Sequence, residues 1–224
     1  MLVSATTPND LRKMLYKQLE IFFLLGEEER ALIDSHIESA LSKLEFSFSR
    51  TKNKYYHDES IVRFDPLHGC QWARFLYELS RSVYLSGESV SVCDKLYGLL
   101  KVMASADLFY QVELPDVFMF DHPLGAIMGR ALYSNYFTFS QGCTVGNNNG
   151  VYPVFGESVF MLSNSKVIGS SQIGDNVIVA ANCYIKDTDI PSGSFVFGES
   201  PHLTIKTGRL DQVREYAEKV FDYE

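Results

Sequence analysis

Val167-Ile-Gly-Ser-Ser-Gln-Ile173-Gly-Asp-Asn-Val-Ile-Val179-Ala-Ala-Asn-Cys-Tyr-Ile185 places an apolar residue at every sixth position, with Gly, Ser, Ala and Asn crowded between. The same phase runs back through Met161 and Phe155, so six successive beats are apolar. A fixed short period with one apolar residue per unit is the signature of a parallel β-helix. Each unit makes one short strand. Its apolar side chain enters a narrow prism, and its small residues turn the corner. Gly and Asn accept the tight or left-handed backbone of such corners, which other residues resist. No unit buries its apolar residue alone, so the coils must form together. The competing reading is a β-sandwich, whose turns would recur every 8 to 12 residues or so.

Upstream, Leu108, Leu114, Phe120 and Ala126 keep the period, and Phe137 and Cys143 resume it after a one-residue slip near Ala131. Gly146-Asn-Asn-Asn-Gly150 interrupts it and is too long for a corner, so a protruding loop is expected. Pro191-Ser-Gly193 and Gly198-Glu-Ser-Pro201 should close the repeats, and Asp211 to Tyr223 reads as a terminal helix.

Before residue 106 the spacing is helical. Leu11, Met14, Leu15, Leu19, Phe22 and Phe23 follow three-and-four steps, with Asp10 as the expected N-cap and Gly26 as the stop. Further helices are expected over Glu27 to Leu44, Cys70 to Tyr84 and Ser89 to Ala104, with Ser86-Gly87 as a break. Residues 45 to 64 are polar and aromatic and read as a loop. The expected fold class is therefore α+β, with an α-helical domain at 1–106, a β-helix at 107–206 and a C-terminal helix at 207–224.

Composition narrows the function. The 224 residues carry a net charge of −8, with 46% hydrophobic and 21% charged residues, which is ordinary globular usage. An acidic chain lacks the clustered Lys and Arg that neutralise phosphates, so no nucleic-acid partner is expected. No apolar run approaches the roughly 20 residues of a membrane span, and the N-terminus has no basic, then apolar, leader. The expectation is a cytoplasmic protein with no membrane partner. Four separate cysteines, Cys70, Cys93, Cys143 and Cys183, form no CxxC pair and read as small core residues, so no metal is expected.

Three features carry a family resemblance. Asp121-His-Pro-Leu-Gly-Ala-Ile-Met-Gly129 is similar to the Asp-His-Ala-Thr-Gly-Ile-Val-Val-Gly segment of hexapeptide-repeat acyltransferases. Ser140-Gln-Gly-Cys-Thr-Val-Gly146 matches their Leu-Gln-Ser-Val-Thr-Leu-Gly strand before a loop. A helical domain precedes the repeats, as in the serine acetyltransferases of that group. The chain thus resembles the bacterial serine acetyltransferases over residues 107 to 206. Surface-polysaccharide acetyltransferases share the pattern, so the resemblance does not name the acceptor.

The resemblance implies a left-handed β-helix, acetyl-CoA as co-substrate, and direct acetyl transfer without a covalent enzyme intermediate or a metal. It makes His122 the general base, since neutral imidazole suits hydroxyl deprotonation near neutral pH. Asp107, 15 residues earlier, stands where the family's orienting aspartate does. Asp121 matches a residue that helps hold an acceptor ammonium, and Asp65 and His68 are candidate acceptor contacts in the helical domain. By matched position Ser163 and Ala181 line the path of the CoA arm. Gly146 is the candidate region for backbone N–H groups that meet the oxyanion. Residues 107 to 224 carry seven Lys and Arg against fourteen Asp and Glu, so local cations must meet the CoA phosphates; Lys186 and Lys206 are the candidates. The family's site lies between subunits, which implies a homotrimer or a dimer of trimers.

One departure bears on specificity. Serine acetyltransferases carry Arg-His before the proline that restarts the repeat, where this chain has Val151-Tyr152-Pro153. The bidentate fork for a carboxylate is missing, and Tyr152 offers one neutral hydrogen bond instead. Three readings stay open: O-acetyl transfer to serine or another amino alcohol, O- or N-acetyl transfer to a sugar, and a non-catalytic hexapeptide assembly protein.

Overall fold

The computed structural model describes residues 2–58 and 61–223. It divides into two compact units, Met1–Ser49 with Asn53–Gln111, and Arg50–Lys52 with Val112–Glu224.

The first unit comprises β1 (Leu2–Ser4), α1 (Pro8–Phe22), α2 (Glu27–Phe48), β2 (His57–Asp58), β3 (Ile61–Phe64), α3 (Gly69–Ser86), α4 (Val90–Ala104) and β4 (Asp107–Leu108). Its core follows the helical spacing: Leu11, Leu15 and Leu19 from α1, Ile33, Ile37 and Leu44 from α2, and Trp72 and Phe75 from α3 are all buried. Asp10 is not the cap of α1. Thr7 is, accepting the Asp10 N–H at 3.1 Å, while Pro8 occupies the first turn, where a missing N–H costs nothing. Asp10 instead accepts the Thr7 hydroxyl at 2.8 Å. The helix ends at Phe22, before Gly26.

Residues 45 to 64 are more regular than a loop. Helix α2 continues to Phe48, β2 and β3 form an antiparallel hairpin, and β3 pairs with β1 in parallel. Val62 and Phe64 are buried while Ile61 and Arg63 face out, a two-beat alternation too brief to stand out in a polar stretch. Helix α3 runs from Gly69 to Ser86, two residues longer at its end than expected, and stops at Gly87 in the left-handed conformation. Ser89 caps α4, and Ser105, also left-handed, ends it.

The second unit is a parallel β-solenoid. Its strands are β5 (Phe118–Asp121), β6 (Ile127–Met128), β7 (Phe137–Ser140), β8 (Thr144–Gly146), β9 (Val154–Phe155), β10 (Val159–Met161), β11 (Lys166–Ile168), β12 (Gln172–Ile173), β13 (Val177–Val179), β14 (Tyr184–Lys186), β15 (Ser194–Glu199) and β16 (His202–Lys206), before α5 (Leu210–Ala217). Three parallel ladders form its sides: β5-β7-β10-β13-β15, β6-β8-β11-β14 and β9-β12. Val159 faces Val177, Val154 faces Gln172 and Lys166 faces Tyr184, each pair eighteen residues apart. Three six-residue beats thus make one coil. All six apolar beats from Phe155 to Ile185 are at most 3% exposed. The slip near Ala131 shows as Phe118 facing Phe137, nineteen residues on.

The corners repeat with the coils. Ser158, Asn176 and Gly193 have positive φ at one corner, and Asn164 and Asn182 at another. At the third, Gly169 lies beneath Asp187, whose Oδ1 would come within 2.1 Å of a Cβ on that glycine.

Gly146–Gly150 does not protrude as a long loop. Asn148 and Val151 exchange two backbone hydrogen bonds of 3.0 Å around Asn149 and Gly150, both with positive φ. This is the tight hairpin turn that two consecutive left-handed residues allow. The Asn148 side chain then donates to Asp187 Oδ2 at 2.6 Å, which ties the turn to the next coil. At the far end, β15 joins the β13 ladder and turns antiparallel into β16, so Gly198 to Pro201 makes a hairpin.

The terminal helix is shorter than expected, ending at Ala217. Val213, Ala217 and the following Phe221 bury themselves against Val117, Phe160 and Ile178 on the solenoid's outer face. Backbone bonds from Lys52 N–H to Val220 O and from Asp222 N–H to Arg50 O hold this segment in place. Cys93, Cys143 and Cys183 are buried and Cys70 is half-buried; burial pushes the Cys93 and Cys183 thiols up to about 11, which leaves them protonated.

Candidate active site

Strand β5 ends in Asp121, and His122 turns the corner toward β6. The local pattern explains the placement. Phe118 and Phe120 point inward and are buried, so Met119 and Asp121 face out. His122 has a φ of 46° and its carbonyl accepts the Leu124 N–H at 2.8 Å. His122 shares this left-handed state with corner residues of the later coils, such as Asn164 and Asn182. Its ring Nε2 lies 3.5 Å from Asp121 Oδ1, and the two side chains are 76% and 65% exposed. Water screens such a pair, so it contributes little to the stability of the fold.

Asp107 belongs to the first unit, and its carboxylate is engaged there. Tyr97 Oη donates to one oxygen at 2.6 Å and Lys101 Nζ to the other at 3.1 Å. The Lys101 ammonium also lies over the Tyr97 ring, 5.3 Å from its centre. Burial first, and then Asp107, raise the Tyr97 phenol above its ordinary value, while the hydrogen bond to Asp107 raises Lys101. The Asp107 carboxylate is thus held between the Tyr97 hydroxyl and the Lys101 ammonium.

Asp65 and His68 have local work in the first unit. Asp65 Oδ1 accepts the Leu67 N–H at 2.8 Å, and the Asp65 N–H donates to Gln71 Oε1 at 2.7 Å. His68 is the N-cap of α3, with Nδ1 3.5 Å from the Gln71 N–H. Its ring packs beside Tyr55 and Tyr56. This polar knot is a helix start.

The remaining candidates lie on the solenoid. Tyr152 accepts a hydrogen bond from Asn147 Nδ2 at 3.4 Å, and its ring edge lies against Gly129, where a Cβ would come within 3.3 Å. Its phenolic proton stays available to a ligand. Gly146 ends β8, and its carbonyl accepts the Gly169 N–H at 3.0 Å. Ser163 and Ala181 occupy equivalent corners one coil apart, linked where the Asn182 N–H meets Ser163 O at 2.9 Å. Ser163 is half-buried and Ala181 exposed. Lys186 is exposed at the end of β14. Lys206 is exposed on β16, its ammonium 5.2 Å from the centre of the Phe197 ring. Among the described residues no group of three or more His, Cys, Asp or Glu is placed to hold a metal ion, and no helix is long and apolar enough to cross a membrane.

One neighbour escaped the sequence reading. Burial, and then the Asp121 carboxylate, raise the phenol of Tyr216 on α5 above its ordinary value. A single tyrosine in a short polar helix carries no pattern that would link it to a residue 95 positions earlier.

No family model matches the chain. Among curated proteins, the serine acetyltransferase of Staphylococcus epidermidis is 29% identical over 160 residues, which is 67% of this chain and 70% of that protein. The serine acetyltransferase of Synechococcus elongatus is 26% identical over 119 residues, half of this chain and 48% of that relative's length. Among solved structures, a truncated serine acetyltransferase apoenzyme aligns with a TM-score of 0.68 at 16% identity, covering 88% of this chain and 84% of that one. A serine acetyltransferase in complex with CoA aligns with a TM-score of 0.66 at 16% identity, covering 88% and 83%. The fold is shared with these structures, and the sequence resembles the curated serine acetyltransferases.

Proposed function

We propose that this chain is an acetyl-CoA-dependent acyltransferase of the serine acetyltransferase kind, which moves an acetyl group directly to an acceptor hydroxyl. The observation that carries the reading is the exposed His122 imidazole on a strained corner beside Asp121, set on the fold of solved serine acetyltransferases. In the reaction the acceptor oxygen attacks the thioester carbonyl, its proton passes to the neutral imidazole, and the C–S bond breaks. The imidazolium then returns the proton to the departing CoA thiolate. A well-placed base of this kind is worth about 10²- to 10⁴-fold in rate.

Asp107 is proposed as the orienting carboxylate. Two donors already hold it, yet a carboxylate has about four lone-pair sites, so it keeps capacity for an imidazole N–H. Asp121 is proposed to face the acceptor's ammonium group. The CoA arm is proposed to run past Ser163 and Ala181, with Lys186 and Lys206 toward its phosphates and a Gly146 N–H toward the oxyanion. A trimeric assembly, singly or paired, and a cytoplasmic location complete the reading. Val151 and Tyr152 present no guanidinium for a carboxylate, which favours a small amino alcohol or an amino sugar over serine.

Thiol release from acetyl-CoA, measured against L-serine, L-homoserine and UDP-glucosamine, tests both parts. Turnover with at least one acceptor, lost in His122→Ala, supports the mechanism. Full activity in His122→Ala would remove the base assignment, and serine or homoserine, which share the α-carboxylate, outrunning UDP-glucosamine would overturn the inference drawn from Val151.

A further inference from the structure

We propose that Tyr216 of α5 is an acceptor-positioning residue, with its phenol donating a hydrogen bond to the substrate held beside Asp121 and His122. This rests on the acyltransferase reading and adds to it a specificity-determining group from the C-terminal segment.

The argument starts from strand register. Met119, Thr138, Phe160, Ile178 and Phe195 stand side by side across β5, β7, β10, β13 and β15, one row on the solenoid's outer face. Asp121 stands on that same face, two residues beyond Met119, at the C-terminal end of its strand. Helix α5 covers the row through Val213 and Ala217. Its two flanks therefore look toward opposite ends of the strands. Arg214 and Glu218 line a crevice with Glu157, Ser158 and Asn176, the residues that precede β10 and β13, so that flank lies over the strand starts. Tyr216 is two residues from each, about 200° around the helix, and takes the other flank, over the strand ends. Its ring meets Phe160 edge-on, with centres 5.0 Å apart.

The state of the hydroxyl fits the role. The Tyr216 hydroxyl makes no hydrogen bond to any described residue, and the residue is 37% exposed, so the group is open to a ligand. A phenol is neutral, and so a donor, at physiological pH, and burial and the Asp121 charge push it further in that direction. A donor beside a carboxylate and an imidazole suits an acceptor that offers an oxygen to one and an ammonium to the other. Amino alcohols and amino sugars both fit that description.

Steady-state kinetics on the full chain decide the matter, with thiol release from acetyl-CoA measured against L-serine, L-homoserine and UDP-glucosamine. Tyr216→Phe keeps the ring and its contact with Phe160 but removes the donor. The expected result is a three- to tenfold rise in acceptor KM, about the loss of one neutral hydrogen bond. The kcat, the KM for acetyl-CoA and the melting temperature should all stay within experimental error of wild type. A purely structural tyrosine would leave the acceptor KM unchanged, and that result overturns the inference while His122→Ala still decides the base. Wild-type protein that turns over none of the three would overturn the acyltransferase reading, and this inference with it. Tyr216→Ala, which also strips the ring, should lower the melting temperature as well, separating packing from hydrogen bonding.

Discussion

The two units spend left-handed backbone differently. In the helical unit, positive φ falls at helix ends, at Gly87 after α3 and Ser105 after α4. There it stops an element whose interior is held by its own i to i+4 ladder and by buried Leu, Ile and aromatic side chains. In the solenoid it falls at corner after corner, at Tyr136, Ser158, Asn164, Asn176, Asn182 and Asp187. Strands of two or three residues have almost no structure of their own, so the corners and the coil-to-coil ladders define the unit together. A helix tolerates a poor end by fraying, whereas a coil with a poor corner misplaces the next strand. The same device places the chemistry. His122 is a corner residue, so the solenoid presents its imidazole to solvent on a backbone that β5 ties to the next coil through β7.

The largest expected effect follows directly. His122→Ala should lower kcat by about 10²- to 10⁴-fold in the thiol-release assay, with the melting temperature unchanged, because the side chain is exposed and among the described residues approaches only the Asp121 carboxylate. A helical-unit change such as His68→Ala should leave kcat within about twofold while loosening the start of α3 by about 1 kcal/mol, the usual worth of a cap. If His68→Ala cost activity as heavily as His122→Ala, the division between a chemical corner and a structural cap would fail.

Next in size is the seam between helix and coil inside the second unit. Phe160 is fully buried and touches both Tyr216 and Phe221. Phe160→Ala should destabilise by about 3–5 kcal/mol. Because that ring seats α5, the variant should also become sensitive to trypsin at Arg209, Arg214 and Lys219 well below its melting temperature. Uniform protection up to global unfolding would mean that α5 and the coils hold together without this contact.

What could be read in advance tracks the same contrast. The six-residue beat was legible because each strand contributes one inward residue and strand length is fixed, so Phe155 to Ile185 announce themselves. The N-cap of α1 was misplaced by three residues because Asp10 and Thr7 are both good caps, and only Pro8 at the first turn decides between them. The β2–β3 hairpin was missed because Val62 and Phe64 are two apolar beats in a polar stretch. In the candidate site, His122 and Asp121 are local in sequence and could be found by their segment. The partners of Asp107 were not anticipated, since Tyr97 and Lys101 are ordinary residues of a helix until the chain returns past them. Tyr216 was invisible for a stronger reason: its link to Asp121 runs through the register of parallel strands, which no local pattern encodes.

The smallest expected effect isolates the corner itself. Gly87 and Gly169 both have positive φ, 74° and 76°. A Cβ on Gly87 would meet nothing within 4 Å, so Gly87→Ala should cost only the left-handed penalty of an alanine, about 1–2 kcal/mol. A Cβ on Gly169 would come 2.1 Å from Asp187 Oδ1 and 2.8 Å from Asn148 Cβ. The same substitution there must pay the backbone penalty and also displace two side chains that bond to each other. Chemical denaturation of the two variants should therefore rank Gly169→Ala below Gly87→Ala in stability. Removing the obstruction should close most of the gap: Asp187→Ala combined with Gly169→Ala should be less destabilised than the sum of the two single changes, since an alanine at 169 meets the carboxylate only while Asp187 is present. Additive costs in that double mutant would show that the stacked corner is not what makes the glycine necessary, and that the backbone conformation alone accounts for it.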